Sequence, residues 1–247
     1  MTGTPDAGHL RALHGDRAAT GPLVVPGPWD AVSARVFEAA GFPALATPSA
    51  GIASALGYED GRTPAAEMFA AVARIVRAVS VPVTADLEGG YGLSPTELVE
   101  QVRESGAVGM NLEDTGPDGS LRDPGAHADW LAAVRAADPG LFLNARVDTY
   151  VRRAPEPLEG AIGRALRYAA AGADCVYPIL APPSDLPALR AALGDLPLNA
   201  LARPGGPSFA ELGRLGATRI TFGDGLLRRA EQDLSALAAR VRVGSEV

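Results

Sequence analysis

Eight short apolar runs recur along this chain, and each is followed by a segment whose apolar residues return at every third or fourth position. The runs cover 23–27, 44–48, 81–88, 109–114, 141–148, 175–180, 197–201 and 219–223. Between the second and third runs, Met68, Phe69, Val72, Ile75, Val76 and Val79 mark one face of a helix. A helix between two such runs carries the chain back across the sheet, so successive strands pair in parallel. Eight such units in 247 residues predict a single-domain α/β fold, a (β/α)8 TIM barrel over 22–247. A doubly wound open sheet is the competing architecture. The polar residues 1–21 are expected to form a mobile N-terminal segment.

Element ends are legible too. Gly41, Gly106, Gly172 and Gly216 each stand between a helical pattern and an apolar run, where a left-handed residue ends the helix. Asp30, Ser94 and Asp123 are placed to cap the helices that follow them. The segment 114–122 is polar and turn-rich, and is expected to be a flexible loop at the barrel mouth.

Composition removes several chemistries. All 22 basic residues are arginine, so no lysine is present for Schiff-base, pyridoxal phosphate or P-loop chemistry. One cysteine, Cys175, excludes disulfides and thiolate clusters, and its apolar run assigns it to the core. The histidines are His9, His14 and His127. Two of them fall in the N-terminal segment, which leaves no basis for a histidine metal site or a Ser-His-Asp triad. His127 and Trp130 read as structural residues of one helix. The formal charge of −7 argues against nucleic acid and anionic membranes as partners. With no long apolar span or secretory pattern, a cytoplasmic location is expected.

In a barrel of this kind, chemistry sits where the strands end. Those ends carry Trp29 and Asp30, Pro48 and Ser49, Asp86 and Glu88, Glu113 and Asp114, then Asn144, Arg146 and Asp148, and lastly Asn199 and Arg203. Acids on adjacent strands would repel one another or take up protons, unless a hard cation such as Mg²⁺ lies between them. A solvated strand end with a tight turn is the alternative for Asp86 and Glu88. Arg146 suits a bidentate clamp on a substrate carboxylate or phosphonate, or an internal salt bridge to Asp148 or Glu113.

Several stretches, in order, resemble the isocitrate lyase / phosphoenolpyruvate mutase superfamily. They are 26–34 (PGPWDAVSA), 56–61 (LGYEDG), 86–92 (DLEGGYG), 109–114 (GMNLED), 144–148 (NARVD) and 168–174 (YAAAGAD). The resemblance implies a Mg²⁺ or Mn²⁺ site with Asp86 as direct ligand and Glu88 and Glu113 on metal-bound waters. It also implies Asp60 on a mobile loop, Arg146 on the substrate, and backbone at Ser49, Ala50 and Gly51 receiving its carboxylate. Trp29 and Asn199, at their strand ends, join the expected substrate contacts. The family chemistry makes or breaks a C–C or C–P bond beside an enolate.

This chain departs from that pattern. The lyases carry a Lys-(Lys/Arg)-Cys-Gly-His loop after strand four, and the mutases a lysine and an asparagine there; here 115–120 reads TGPDGS. Pro48 stands where a serine is usual. The acid or base is then Tyr91, Tyr58, Asp60, Glu88 or a metal-bound water. The leading expectation is a Mg²⁺-dependent lyase or decarboxylase acting on a small 2-oxo or 2-hydroxy acid. A phosphonomutase or phosphonopyruvate hydrolase, and a non-catalytic binder of small acids, are the alternatives. Family resemblance also implies a homo-oligomer, dimer or tetramer, with 226–243 long enough for about one helix beyond the last strand.

Overall fold

The computed structural model describes residues 6–15 and 20–244. All eight runs form strands: β1 (Leu23–Val24), β2 (Leu45–Thr47), β3 (Val83–Asp86), β4 (Gly109–Glu113), β5 (Phe142–Val147), β6 (Cys175–Pro178), β7 (Asn199–Leu201) and β8 (Arg219–Thr221). Every pairing is parallel, in the orders β2-β3-β4-β5-β6 and β1-β8-β7. The two sheets meet at both seams. The N–H of Ala46 donates to the carbonyl of Pro26 at 3.0 Å, and a parallel bridge joins Val176 to Leu198. The ring is therefore closed, and the open sheet is excluded.

The helices that cover it begin and end largely as the sequence dictates. They are α2 (Ala31–Ala39), α3 (Ser49–Leu56), α4 (Ala65–Val76), α5 (Pro95–Ser105), α6 (Pro124–Ala137), α7 (Pro157–Ala170), α8 (Leu186–Leu193), α9 (Phe209–Arg214) and α10 (Gly225–Arg242). Asp30 and Ser94 close capping boxes on α2 and α5, and Asp123 caps α6. Gly106 ends α5 at φ +79°, a backbone state that costs glycine little. The apolar faces of the helices pack on the outside of the barrel, with Met68, Val72, Ile75, Leu98 and Val102 wholly or almost wholly buried.

Residues 7–14 depart from the expectation of a mobile N-terminal segment; 1–5 and 16–19 lie outside the described residues. Helix α1 (Ala7–Leu13) closes the floor of the barrel. Leu10 is fully buried in a second core with Leu23, Val25, Ala44, Ala46, Phe142 and Cys175. Arg11 fixes the helix from outside, donating to Asp174 at 2.8 Å and to the carbonyls of Gly140 and Leu141. The signal was hidden because about two helix turns offer only Leu10 and Leu13 as large apolar residues. Leu10→Ala is expected to lower unfolding free energy by about 2–5 kcal/mol, as buried leucine truncations do, measured by urea denaturation.

Cys175 is buried in that same floor, and burial pushes its thiol up to about 12, which leaves it an inert core residue. Among the described residues, no helix is long and apolar enough to cross a membrane.

Candidate active site

Strands β3, β4 and β5 deliver the acids and the arginine to one place. Asp86 ends β3, in register with Asn111 of β4, and Glu113 ends β4, in register with Arg146 of β5. Arg146 Nη1 lies 2.8 Å from Glu113 Oε2 and 3.8 Å from Asp86 Oδ2. Its Nε and Nη2 donate to Asp148 at 2.8 and 3.1 Å. The internal salt bridge is thus the arrangement present, with Nε and Nη2 each committing a hydrogen to Asp148 and Nη1 ion-paired with Glu113. Arg146 has five donors, so its remaining Nη hydrogens are what it can offer a substrate.

Behind Arg146 stands a chain of contacts that the spacing of residues does not announce. Asp148 is fully buried. It accepts from the Thr115 hydroxyl at 2.7 Å, and its own N–H donates to Asp114 at 2.8 Å. Asp114, also fully buried, is held by Tyr168 at 2.8 Å and Arg164 at 3.0 Å. The loop that carries Thr115 is folded on itself rather than extended. Thr115 and Leu121 form an antiparallel bridge, Gly116 N–H donates to Ser120 O at 2.8 Å, and Arg122 N–H donates to Asp114 O at 2.8 Å. Arg122 Nη2 reaches the Gly89 carbonyl at 3.1 Å.

The turn after β3 is conformationally forced. Glu88 and Tyr91 adopt φ of +51° and +54°, left-handed values that are uncommon for such residues and cluster at functional sites. Glycine is required at 90, where φ is +84° and a Cβ would stand 2.8 Å from the Trp130 ring. The turn directs the Tyr91 hydroxyl to Glu88 Oε1 at 3.2 Å. Tyr58, by contrast, is half-buried and donates from its hydroxyl to Glu67 at 2.5 Å, away from Asp86, Glu88 and Glu113.

Across the mouth, α3 starts directly after β2. Ser49 donates from its hydroxyl to Asp86 Oδ2 at 3.1 Å. Pro48 caps the helix without a side-chain bond, so the N–H groups of Ser49, Ala50 and Gly51 form a first turn without intrahelical acceptors. Trp29 packs beside this turn, 3.6 Å from where a Cβ on Gly51 would lie. Asn199 is buried in the barrel interior and accepts from Thr221 at 3.2 Å. Asp60 is exposed and makes no direct contact with the acids. It lines a cavity of about 730 Å³ between α3 and α10 with Ala50, Tyr58 and Arg228, which Asp86, Glu88, Glu113 and Arg146 do not line. Of the predicted set, the fold brings Ser49, Asp86, Glu88, Tyr91, Glu113 and Arg146 together.

Burial dominates the electrostatics. It raises the Asp86 carboxyl, with Arg146 opposing. Burial and then the charge of Asp86 lift Glu88 to about 7. Burial, with Arg146 opposing and Asp148, Asp86 and Glu88 adding to it, lifts Glu113 to about 8. Glutamates raised in the folded state bind protons more tightly there than in the unfolded chain. Their stabilisation is complete below the ordinary value near 4.5 and is lost as pH rises through 7 and 8. Melting of the chelator-treated protein is therefore expected to weaken between pH 5 and 8, and Glu113→Gln to flatten that slope. Among the described residues, no three His, Cys, Asp or Glu side chains stand close enough to ligate one ion directly.

The family profile described as phosphoenolpyruvate phosphomutase matches residues 10–242. An uncharacterized protein of Mycobacterium tuberculosis is 36% identical over 203 residues, 82% of this chain and 78% of that protein. The oxaloacetate decarboxylase of Rhodopseudomonas palustris is 31% identical over 183 residues, 69% of this chain and 62% of that protein. The crystal structure of a Burkholderia cenocepacia protein described as a phosphonomutase superposes with a TM-score of 0.85 at 39% identity, covering 95% of this chain and 99% of that one.

Proposed function

This chain belongs to the phosphoenolpyruvate phosphomutase family, and from that premise we propose that it is a lyase or decarboxylase. Its substrate is a small 2-oxo or 2-hydroxy acid, cleaved at a C–C bond beside an enolate. The observation that carries this reading is the convergence of Asp86 and Glu113 on Arg146, with Glu88 beside Asp86, opposite the first turn of α3.

The donor set is compatible with Mg²⁺. Three partly buried carboxylate groups gather at the strand ends, and Asp86 and Glu113 share one arginine, an excess of negative charge that burial disfavours. Mg²⁺ takes oxygen ligands, keeps several waters and needs only one or two direct carboxylates, so the lack of a three-ligand cluster is no obstacle. Asp86 would hold the ion directly, and Glu88 and Glu113 its waters. When bound, the ion supplies positive charge beside the substrate oxygen on which negative charge develops.

The protein's own groups do the rest. The N–H groups of Ser49, Ala50 and Gly51, at the positive end of α3, bind the carboxylate next to the carbonyl. Arg146 offers its free Nη hydrogens to a second anionic group. With oxaloacetate, the C3–C4 bond breaks and CO2 departs, its bonding pair becomes the C2=C3 bond, and the carbonyl π pair moves onto the C2 oxygen. C3 then takes a proton from the Glu88–Tyr91 pair, whose carboxyl, raised to about 7, exchanges protons readily near neutrality.

Likeness to the Burkholderia cenocepacia protein described as a phosphonomutase, over almost the whole chain, supports a second reading, chemistry at a C–P bond. Coupled pyruvate detection with oxaloacetate, substituted malates and phosphonopyruvate, with and without Mg²⁺, tests both. Mg²⁺-dependent pyruvate from a malate or oxaloacetate supports the first, and phosphate release from phosphonopyruvate the second. Thermal shift by these acids without turnover of any would make the protein a binder. A homo-oligomer is part of this proposal, supported by α10, which exposes Leu234 and Val241 on one face; light scattering tests it. A cytoplasmic location likewise belongs to the proposal.

A further inference from the structure

Arg219 opens β8 in register with Leu23 of β1 and Asn199 of β7. Two residues on, Thr221 donates to Asn199, so this face of β8 points into the barrel. Arg219 follows it inward, and its guanidinium carbon lies 5.9 Å from the centroid of Phe142, at the foot of β5. The residue has no solvent exposure. Among the described residues, none of its three guanidinium nitrogens has an acceptor and no carboxylate pairs with it.

Leu23, Val25, Ala44, Ala46 and Phe142 line that floor, with the buried His14 ring stacked on Phe142, and packing among these groups does not require a charge. Arginine cannot shed its proton to relieve burial. Above it, the same barrel interior holds Asp86, Glu113 and Asp148, with Glu88 at the rim, against the single positive charge of Arg146. Charges inside a water-poor lumen interact over longer distances than surface charges, because neither solvent nor salt screens them well.

We infer that Arg219 is a positioning residue that balances the acid site through the barrel interior, without touching substrate. This rests on the metal and anion binding proposed above. The sign of its effect follows from Coulomb's law. Removing the charge leaves the mouth more negative, so a divalent cation binds more tightly and a dianion more weakly. A merely structural role would move both affinities the same way, or neither.

The test compares wild type, Arg219→Met and Arg219→Lys by calorimetry with Mn²⁺ alone and with oxalate alone, alongside thermal melts. Arg219→Met is expected to bind Mn²⁺ about tenfold more tightly and oxalate about tenfold more weakly, with melting no lower than wild type. Arg219→Lys, which keeps the charge, is expected to resemble wild type in both affinities. Wild-type binding of both probes with affinities unchanged in Arg219→Met, or falling together, overturns this inference alone. A wild-type protein that binds neither probe overturns the proposed function and this inference with it. If Arg219→Met does not fold, Arg219→Gln carries the same comparison. Failure of both neutral variants to fold assigns the residue to the architecture and overturns the inference.

Discussion

Asp86→Asn is expected to lower turnover by about 10²–10³-fold, the range seen when one preorganised electrostatic group is removed, while melting at or above the wild-type temperature. The two effects separate for a physical reason. Burial raises the Asp86 carboxyl above its ordinary value in spite of Arg146 and the Ser49 hydroxyl, so its ionised form is a cost to the fold. An amide of the same shape keeps an oxygen for Ser49 to donate to and removes that cost. The reaction needs the charge, because a neutral amide is a poor ligand for a hard cation. Steady-state kinetics and calorimetric melts of one preparation check both halves. Full activity in Asp86→Asn would sink the site assignment, and a collapsed melting temperature would show that the residue is structural.

The second large effect concerns Arg146. Arg146→Met is expected to cost about 3–5 kcal/mol, the range for removing one partner of a buried ion pair. Glu113 and Asp148, which Arg146 holds at 2.8 Å each, would be left buried without a counter-charge. The penalty depends on pH, and the sign can be worked out. With Arg146 gone, the opposing influence on Glu113 is lost and its carboxyl, already near 8, rises further. At low pH it is protonated and the variant loses little. As pH rises, the variant must either ionise an unpaired carboxyl or keep a proton that the unfolded chain releases. The gap between the melting temperatures of wild type and variant should therefore stay nearly constant from pH 5 to 7 and widen as pH rises above about 8. Arg146→Lys cannot bridge Glu113 and Asp148 together, because a single ammonium lacks the planar fork. It should recover part of the stability and little of the substrate affinity.

These effects contrast with the loop after β4. It was expected to be flexible because it is polar and rich in turn formers, yet Thr115 anchors it to Asp148 and Arg122 anchors it to Gly89. Its tip donates to its own carbonyls. Turn-forming residues give a chain freedom only where their hydrogen bonds go to water, and here they go to one another. The loop therefore presents a surface anchored to the same Asp148 that Arg146 pairs with.

Much of the architecture could be read from the chain alone. Strand and helix each have their own apolar period, and a strand-helix unit repeated eight times leaves few ways to bury its faces other than a closed parallel barrel. Asp30, Ser94, Asp123 and Gly106 could be read as element ends because capping is local chemistry, decided within four residues. The acids could be read as a group because parallel strands deliver their C-terminal residues to one rim. Three things were beyond the sequence. Helix α1 has too few apolar residues to announce that it plugs the floor. The ties from Arg164 and Tyr168 through Asp114 and Asp148 to Arg146 join residues far apart in the chain, with no spacing to reveal them. Arg219 looked like any residue at the start of a strand. Local propensity and periodicity determine which elements form and where they end. Only the closed barrel decides which side chains share an interior that excludes water, and that exclusion turns scattered acids and arginines into one electrostatic unit.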